Sequence, residues 1–176
     1  MRTRVGYCGG SSENPTYHNL VDHTETLQLD YNPALLSYED LVFHFYAEHR
    51  PLSPAYSRQY MSAIFCDTED ELATAEEVRA KQENRYGGKL YTEIQLAKPF
   101  YRAEDYHQKY SLQRSKEVTG ELLSLYPNFN AFTDAPAAMR LNAYMGRHLT
   151  KKQFQEERHL FGLSEQAMRI LDKSIR

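Results

Sequence analysis

The local hydrophobic pattern of this 176-residue chain changes near residue 110. Before that point, short segments with the period of a strand alternate with segments that repeat apolar residues at the helical period, and after it the patterns are helical only. No polar linker separates the two parts, which argues against two independent domains. The change predicts an α+β fold, with a domain over residues 1–113 and a helical extension over residues 114–176 packed on the same domain.

Turn-forming and helix-capping residues place the ends of the predicted elements. Strands are expected over residues 3–7, 25–31, 61–66 and 90–96. Ser37 followed by Glu39 and Asp40 predicts the start of a helix, and Gly87 with Gly88 predicts the end of another over residues 69–86. Further helices are expected over residues 115–125, 135–147, 151–160 and 164–174, with Asn128, Asp134 and Pro136 read as breaks between them.

The charge pattern narrows the class of partner. Lysine and arginine (21 residues) are interspersed with aspartate and glutamate (24 residues), and the formal net charge is -3, so no basic stripe is available for a phosphate backbone. No apolar run approaches the roughly 20 residues that cross a bilayer, and the first residues lack the apolar core of a secretory signal. We therefore predict a cytoplasmic monomer that binds neither nucleic acid nor a membrane.

Cysteine and histidine usage bears on metals and disulfides. Cys8 and Cys66 are the two cysteines, too few for a disulfide scaffold and typical of a compartment where thiols stay reduced. The seven histidines fall in no metal-binding spacing. The sequence predicts neither a metal site nor a bound cofactor.

Several acids and tyrosines stand in predicted loops or at strand ends, where sites are usually mounted. Glu25 starts a strand in which it shares a face with Leu27 and Leu29, so this carboxyl is expected to point into a covered face and act as a general acid near neutral pH. The alternative is a solvated charge at a strand edge. For Tyr17 and Tyr110, the alternative is that they are ordinary tyrosine rings whose hydroxyls reach water. For Asp105, the alternative is a helix cap or a surface charge.

Five short motifs occur in a specific order along the chain. They are Arg-Val-Gly-Tyr-Cys-Gly-Gly from Arg4, Asn-Pro-Thr-Tyr ending at Tyr17, His-Thr-Glu ending at Glu25, Tyr-Met-Ser-Ala-Ile-Phe from Tyr60, and Ala-Glu-Asp-Tyr-His-Gln-Lys-Tyr ending at Tyr110. Each motif alone is weak, whereas the ordered set is specific. From residue 2 to about residue 113, the chain resembles the peptide-methionine (S)-S-oxide reductases, the A-type methionine sulfoxide reductases.

The resemblance implies a ferredoxin-like two-layer sandwich with a mixed sheet. It also implies reduction of methionine S-sulfoxide, free or in proteins, with electrons from thioredoxin or another dithiol, as a step of protein repair under oxidative stress. In that family a cysteine thiolate attacks the sulfoxide sulfur and a glutamate protonates or hydrogen-bonds the oxygen. Matched by motif, Glu25 is this glutamate, and Tyr17, Tyr110 and Asp105 hold the polar end of the substrate.

Two departures separate this sequence from the family pattern. The family's Gly-Cys-Phe-Trp motif, which carries the nucleophile upstream of the first matched motif, is absent, and the sequence has no tryptophan. The spacing from Tyr17 to Glu25 is also shorter than in the commonest members. We therefore expect a fold that is incomplete at its N-terminus and a chain that is inactive by itself.

Three hypotheses follow for this chain. It is part or a divergent member of a reductase, it is a non-catalytic relative that binds methionine sulfoxide or a protein partner, or it is a thiol oxidoreductase of another kind that uses Cys8. For Cys8 the competing interpretation is an inert packing residue, and Cys66 is expected in the core.

Overall fold

A computed structural model describes residues 1–49 and 51–175 of the chain. Five strands occur in this part: β1 (Arg2–Cys8), β2 (Thr24–Asp30), β3 (Ala63–Cys66), β4 (Glu93–Leu96) and β5 (Tyr101–Arg102). The α-helices are α1 (Tyr38–Glu48), α2 (Glu69–Tyr86), α3 (Tyr110–Gln113), α4 (Lys116–Ser124), α5 (Phe129–Asp134), α6 (Pro136–Met145), α7 (Lys151–Glu157) and α8 (Glu165–Ser174). Short 3₁₀ turns lie at Arg58–Tyr60, Asp105–His107 and Arg158–Leu160.

The strands form two small sheets. The first has the order β2-β1-β5, and β1 pairs with β5 in antiparallel fashion, with Gly6 opposite Arg102 and Tyr7 opposite Tyr101. A Cβ atom on Gly6 would lie 2.3 Å from the carbonyl oxygen of Tyr101, so only glycine allows this approach. The second sheet is a parallel pair of β3 and β4. Parallel and antiparallel pairs together with many helices confirm the α+β class.

The described chain divides into two compact units, and unit 2 comprises residues 6–27 and 31–103. Its buried apolar cluster is built mainly by α1, α2 and β3, and consists of Val42, Tyr46, Cys66, Ala75, Val78 and Leu90. The predicted start of α1 is confirmed: Ser37 accepts from the backbone of Asp40, whose carboxylate accepts in return from the backbone of Ser37. The predicted end of α2 is also confirmed, because Gly87 adopts the left-handed conformation there.

Unit 1 comprises residues 1–5, 28–30 and 104–176, and its core is helical. Its largest fully buried side chains include Leu112, Leu122, Phe132, Leu141, Tyr144, Phe154 and Leu171. The helices predicted over residues 115–125, 135–147, 151–160 and 164–174 are present as α4, α6, α7 with its following 3₁₀ turn, and α8.

Two helices of unit 1, α3 and α5, were not predicted. Asn128 is expected from the sequence to break helical structure, and instead its side chain caps α5 by accepting from the backbone N–H of Ala131 at 2.9 Å. The same residue type serves both purposes, because a short amide side chain bonds equally well to a turn or to the first turn of a helix.

The predicted boundary between residues 113 and 114 stays a prediction. The last segment of unit 2 ends at residue 103 and the last segment of unit 1 begins at residue 104. Residues 104–113 therefore belong to the same compact unit as the C-terminal helices. No helix in the described ranges combines the length and the apolar character needed to cross a membrane.

Candidate functional site

A loop in unit 2 is organised around the carboxylate of Asp22. This carboxylate accepts hydrogen bonds from the backbone N–H of Ser11 at 2.7 Å and of Ser12 at 3.2 Å, and from their hydroxyls at 2.7 and 2.9 Å. Four donors stabilise the charged form, and the side-chain and backbone hydrogen bonds from Ser11 are the largest cause that holds the pKa of Asp22 well below its usual range. The loop is thereby attached to the residues that precede β2.

His23 makes a second attachment in the same loop. Its ring is 1% exposed, Nδ1 accepts from the backbone N–H of Gly10 at 3.3 Å, and Nε2 lies 2.8 Å from the carbonyl oxygen of Ser12. Because Nδ1 accepts, the hydrogen resides on Nε2 and is donated to Ser12. A Cβ on Gly10 would lie 2.5 Å from atoms of both Asp22 and His23, so glycine is required at this contact.

Arg58 connects the 3₁₀ turn Arg58–Tyr60 to the start of β2. Its Nε donates to the carbonyl of Asp22 at 2.6 Å, its Nη2 donates to the carbonyl of Gly9 at 3.3 Å, and its own carbonyl accepts from the hydroxyl of Thr24 at 3.0 Å. These bonds attach the turn to β2 and to two residues that precede it in the chain. The next residue of the turn, Gln59, is consequently held beside Glu25.

Glu25, Gln59, Tyr60 and Tyr17 form what we call the acid–tyrosine cluster. The Nε2 atom of Gln59 donates to Oε1 of Glu25 at 2.7 Å and to the hydroxyl of Tyr60 at 3.0 Å. The hydroxyl of Tyr60 is hydrogen-bonded to that of Tyr17. Desolvation raises the pKa of Tyr60, and the nearby charge of Glu25 and the bond to Tyr17 raise it further. The hydroxyl of Tyr60 therefore stays protonated.

The cluster faces the outside of unit 2. Glu25 is exposed, and Tyr17 and Tyr60 are 37% and 47% exposed. The ring of Tyr56, 86% exposed, lies 5.7 Å from the ring of Tyr60. The cluster thus places a carboxyl, an amide and two phenol hydroxyls close together at the surface of unit 2.

The expectation that Glu25 points into a covered face is wrong. Leu27 and Leu29, which share its side of β2, are 57% and 38% exposed, while Thr24 on the opposite side is buried. Alternation within a strand shows that two faces differ, but the packing of neighbouring elements decides which face is covered. The Glu25 carboxyl is held by Gln59 at the surface.

The other two candidate residues belong to unit 1. Asp105 and Tyr110 are both exposed, and Tyr110 is 66% exposed. The backbone carbonyl of Asp105 accepts from the backbone N–H of Gln108 at 3.1 Å and from Nε2 of Gln113 at 2.7 Å.

Two buried polar side chains fix the segment between Asp105 and Tyr110. The amide of Gln108 pairs with the backbone of Val5, accepting from its N–H at 3.1 Å and donating to its carbonyl at 2.8 Å. Lys109 has φ 48° and donates to the hydroxyl of Thr3 at 2.9 Å. The segment is therefore attached to β1 within unit 1.

Both thiols are buried. Cys8 is 2% exposed and its Sγ donates to the carbonyl of Lys98 at 3.3 Å, while Cys66 is 0% exposed and its Sγ lies 3.2 Å from the hydroxyl of Tyr38. Burial raises the pKa of each thiol. A nucleophilic cysteine needs the opposite, an accessible sulfur with a stabilised thiolate.

Sequence reasoning missed the roles of Arg58, Gln59 and Tyr60. The segment containing them contains several polar side chains just before a strand, which marks it as a candidate loop, but nothing in it indicates a partner. The bonds to Glu25 and Asp22 join residues more than 30 positions apart.

These features define an α+β protein whose exposed cluster can donate protons and hydrogen bonds to a polar group at its surface. The family model for peptide methionine sulfoxide reductase matches residues 1–135. The chain is 36% identical over 166 residues to the peptide methionine sulfoxide reductase of Drosophila melanogaster, covering 93% of this chain and 66% of that relative. It is 37% identical over 151 residues to peptide methionine sulfoxide reductase A5 of Oryza sativa subsp. japonica, covering 82% of this chain and 58% of that one.

Solved structures of methionine sulfoxide reductases also match this chain. The reduced form of Mxr1 from Saccharomyces cerevisiae matches with a TM-score of 0.58 at 27% identity, covering 65% of this chain and 71% of that one. Methionine sulfoxide reductase A of Corynebacterium diphtheriae matches with a TM-score of 0.56 at 30% identity, covering 65% and 63%. The chain belongs to the peptide methionine sulfoxide reductase family. It spans 66% and 58% of the length of the two curated relatives named above.

Proposed function

We propose that this chain supplies the acid and the hydrogen-bond donors for reduction of methionine S-sulfoxide, free or in proteins, to methionine. The observation that carries the proposal is the acid–tyrosine cluster, which places Glu25 and Tyr17 in one hydrogen-bonded group. Membership of the reductase family supports it.

The chemistry needs these groups. Sulfoxide oxygen is a poor leaving group until it gains a proton, and it becomes more basic as a thiolate attacks the sulfur. In the proposal Glu25 gives the proton and Tyr17 donates a hydrogen bond to the same oxygen. The roles of Tyr110 and Asp105, holding the polar end of the substrate, rest on the family motif.

The electrons come from thiols. Conversion of a sulfoxide to a thioether takes two electrons and two protons, the oxygen leaves as water, and a dithiol becomes a disulfide. We propose thioredoxin or another dithiol as the reductant. Because Cys8 and Cys66 are both buried, the attacking thiol in this proposal is neither of them.

The finer predictions belong to the same proposal. They are a ferredoxin-like two-layer arrangement around a mixed sheet, a cytoplasmic monomer, and no bound cofactor. Within the described residues, no group of three or more metal-binding side chains is gathered at one point.

The test compares three purified proteins: the 176-residue chain, the chain extended at its N-terminus with a family segment carrying the Gly-Cys-Phe-Trp motif, and the extended chain with Glu25→Gln. We expect no dithiol-dependent turnover from the first and stereospecific reduction of the S-sulfoxide by the second. Glu25→Gln should slow single turnover by roughly 10²- to 10⁴-fold, the range for a positioned general acid. Turnover by the 176-residue chain, or an unchanged rate for Glu25→Gln, would contradict the proposal.

A second candidate function is binding of methionine sulfoxide without turnover, which the burial of both thiols favours. An NMR titration of the 176-residue chain with N-acetyl-methionine S-sulfoxide tests it. Binding by this chain together with an inactive extended chain would favour the second function over the first.

A further inference from the structure

The side-chain amide of Gln59 uses both of its hydrogens inside the acid–tyrosine cluster. One goes to Oε1 of Glu25 at 2.7 Å, and the other goes to the hydroxyl oxygen of Tyr60 at 3.0 Å. An amide nitrogen donates and does not accept, so the Tyr60 oxygen is the acceptor in the second bond. The hydrogen of Tyr60 is then available for its bond to Tyr17, which agrees with that bond raising the pKa of Tyr60.

The bond from Gln59 distinguishes the two oxygens of the Glu25 carboxyl. With Oε1 of Glu25 engaged by Gln59, Oε2 becomes the atom that carries the proton toward a substrate. A single amide therefore holds Glu25 and Tyr60 in one arrangement.

We propose that Gln59 is a positioning residue that directs the Glu25 proton onto the sulfoxide oxygen. This inference rests on the proposed function and deepens it. Gln59 acts through Glu25, and it is not assigned a contact with the substrate.

The surroundings of Gln59 suit this role. It is half-buried, and it follows Arg58, whose side chain and carbonyl make three hydrogen bonds. A fixed backbone and restricted side chain lower the entropic cost of keeping a hydrogen bond in one geometry. The chain offers a contrasting pair in unit 1, where Gln166 donates to Glu117 and both residues are exposed on helices.

The kinetic test is a double-mutant cycle in the extended chain. Gln59→Leu should slow single turnover at saturating substrate by about 10-fold, and by less than about 2-fold when Glu25 is already glutamine. Gln59→Glu keeps the shape and replaces a donor by an acceptor, so it should lose at least as much as Gln59→Leu. The matched control Gln166→Leu should react at the parent rate.

A spectroscopic test uses the 176-residue chain. The side-chain amide signals of Gln59, assigned by their loss in Gln59→Leu, should move when Glu25→Gln removes the carboxylate that accepts from Gln59. The signals of Gln166 should be unaffected by Glu25→Gln.

The outcomes separate the two proposals. The positioning role would be overturned, and the proposed function left intact, by any of three results. Gln59→Leu could cause the same loss of rate with Glu25 present and with Glu25→Gln, or Gln59→Glu could keep full activity. The amide signals of Gln59 could also stay unchanged in Glu25→Gln. An extended chain without turnover, or one unaffected by Glu25→Gln, would overturn the proposed function and this inference with it.

Discussion

Tyr17 is a member of the acid–tyrosine cluster. Its hydroxyl is hydrogen-bonded to that of Tyr60, which accepts a hydrogen bond from Gln59. The ring of Tyr17 contacts the ring of His18 edge to face, with 5.3 Å between the ring centroids. A tyrosine that donates to an oxygen of growing basicity contributes more in the transition state than in the ground state.

We therefore expect Tyr17→Phe in the extended chain to cost about 1 to 3 kcal/mol in activation free energy, seen in kcat more than in KM. Tyr91 is a matched control, because it is 40% exposed against 37% for Tyr17 and its ring contacts Lys89 instead of the cluster. Single-turnover rates of the two Tyr→Phe variants give the comparison. Equal losses would mean that the hydroxyl of Tyr17 has no special role.

The carboxylate of Asp22 makes the stability of the folded chain depend on pH. The folded pKa is depressed below the ordinary value of 3.8 by bonds from Ser11 and Ser12. As pH falls, the unfolded chain takes up the proton first, so the stability that this carboxylate contributes is present above about pH 4 and is lost below it.

Urea unfolding of the parent and of Asp22→Asn from pH 7 down to pH 3 measures this contribution. The difference between their unfolding free energies should be largest at neutral pH and should shrink as pH falls below about 4. A difference that stays constant over the whole range would show that the four hydrogen bonds do not depend on the charge of Asp22.

Among the elements, α2 has ends that can be explained residue by residue. It begins where Thr68 accepts from the backbone N–H of Glu71, its first turn contains Glu69, Asp70 and Glu71, and it ends at Gly87 with φ 67°. Acidic residues near the N-terminus interact favourably with the helix dipole, and a left-handed residue at the C-terminus satisfies the last carbonyls.

The conformation of Gly87 predicts an asymmetry between two adjacent glycines. A Cβ would meet no atom within 4 Å at either position, but only Gly87 has a positive φ. Gly87→Ala should therefore lower the unfolding free energy by about 1 kcal/mol, while Gly88→Ala should be near neutral or stabilising. Urea denaturation midpoints of the two variants provide the measurement, and equal midpoints would contradict the strain argument.

At the scale of the whole molecule, the two thiols bear on the hypothesis that this chain is a thiol oxidoreductase of another kind. Both are buried in unit 2 and burial raises the pKa of each. In the folded chain at neutral pH, we expect Cys8 and Cys66 to react with iodoacetamide at least about 100-fold more slowly than in denaturant. Mass spectrometry of the alkylated peptides separates the two sites. A fast reaction of folded Cys8 would revive the hypothesis of a thiol oxidoreductase.

Local patterns were sufficient for features that depend on a few neighbouring residues. The helix start at Ser37, the long helix ending at Gly87 and the α+β class all followed from the sequence, because helix ends and hydrophobic periods are set within one or two turns. The family also followed, because an ordered set of motifs is itself a sequence property.

The environment of the cluster depended on tertiary structure. The sequence predicted Glu25 on a strand, but its exposure was determined by which side of β2 is covered, and that depends on packing partners elsewhere in the chain. The Gln59 to Glu25 bond and the Gln108 to Val5 pair join residues 34 and 103 positions apart. Side chains so distant meet only after the chain has folded, and no local pattern encodes their pairing. The sequence by itself therefore determined the elements and the family, and the tertiary structure decided which polar groups act together.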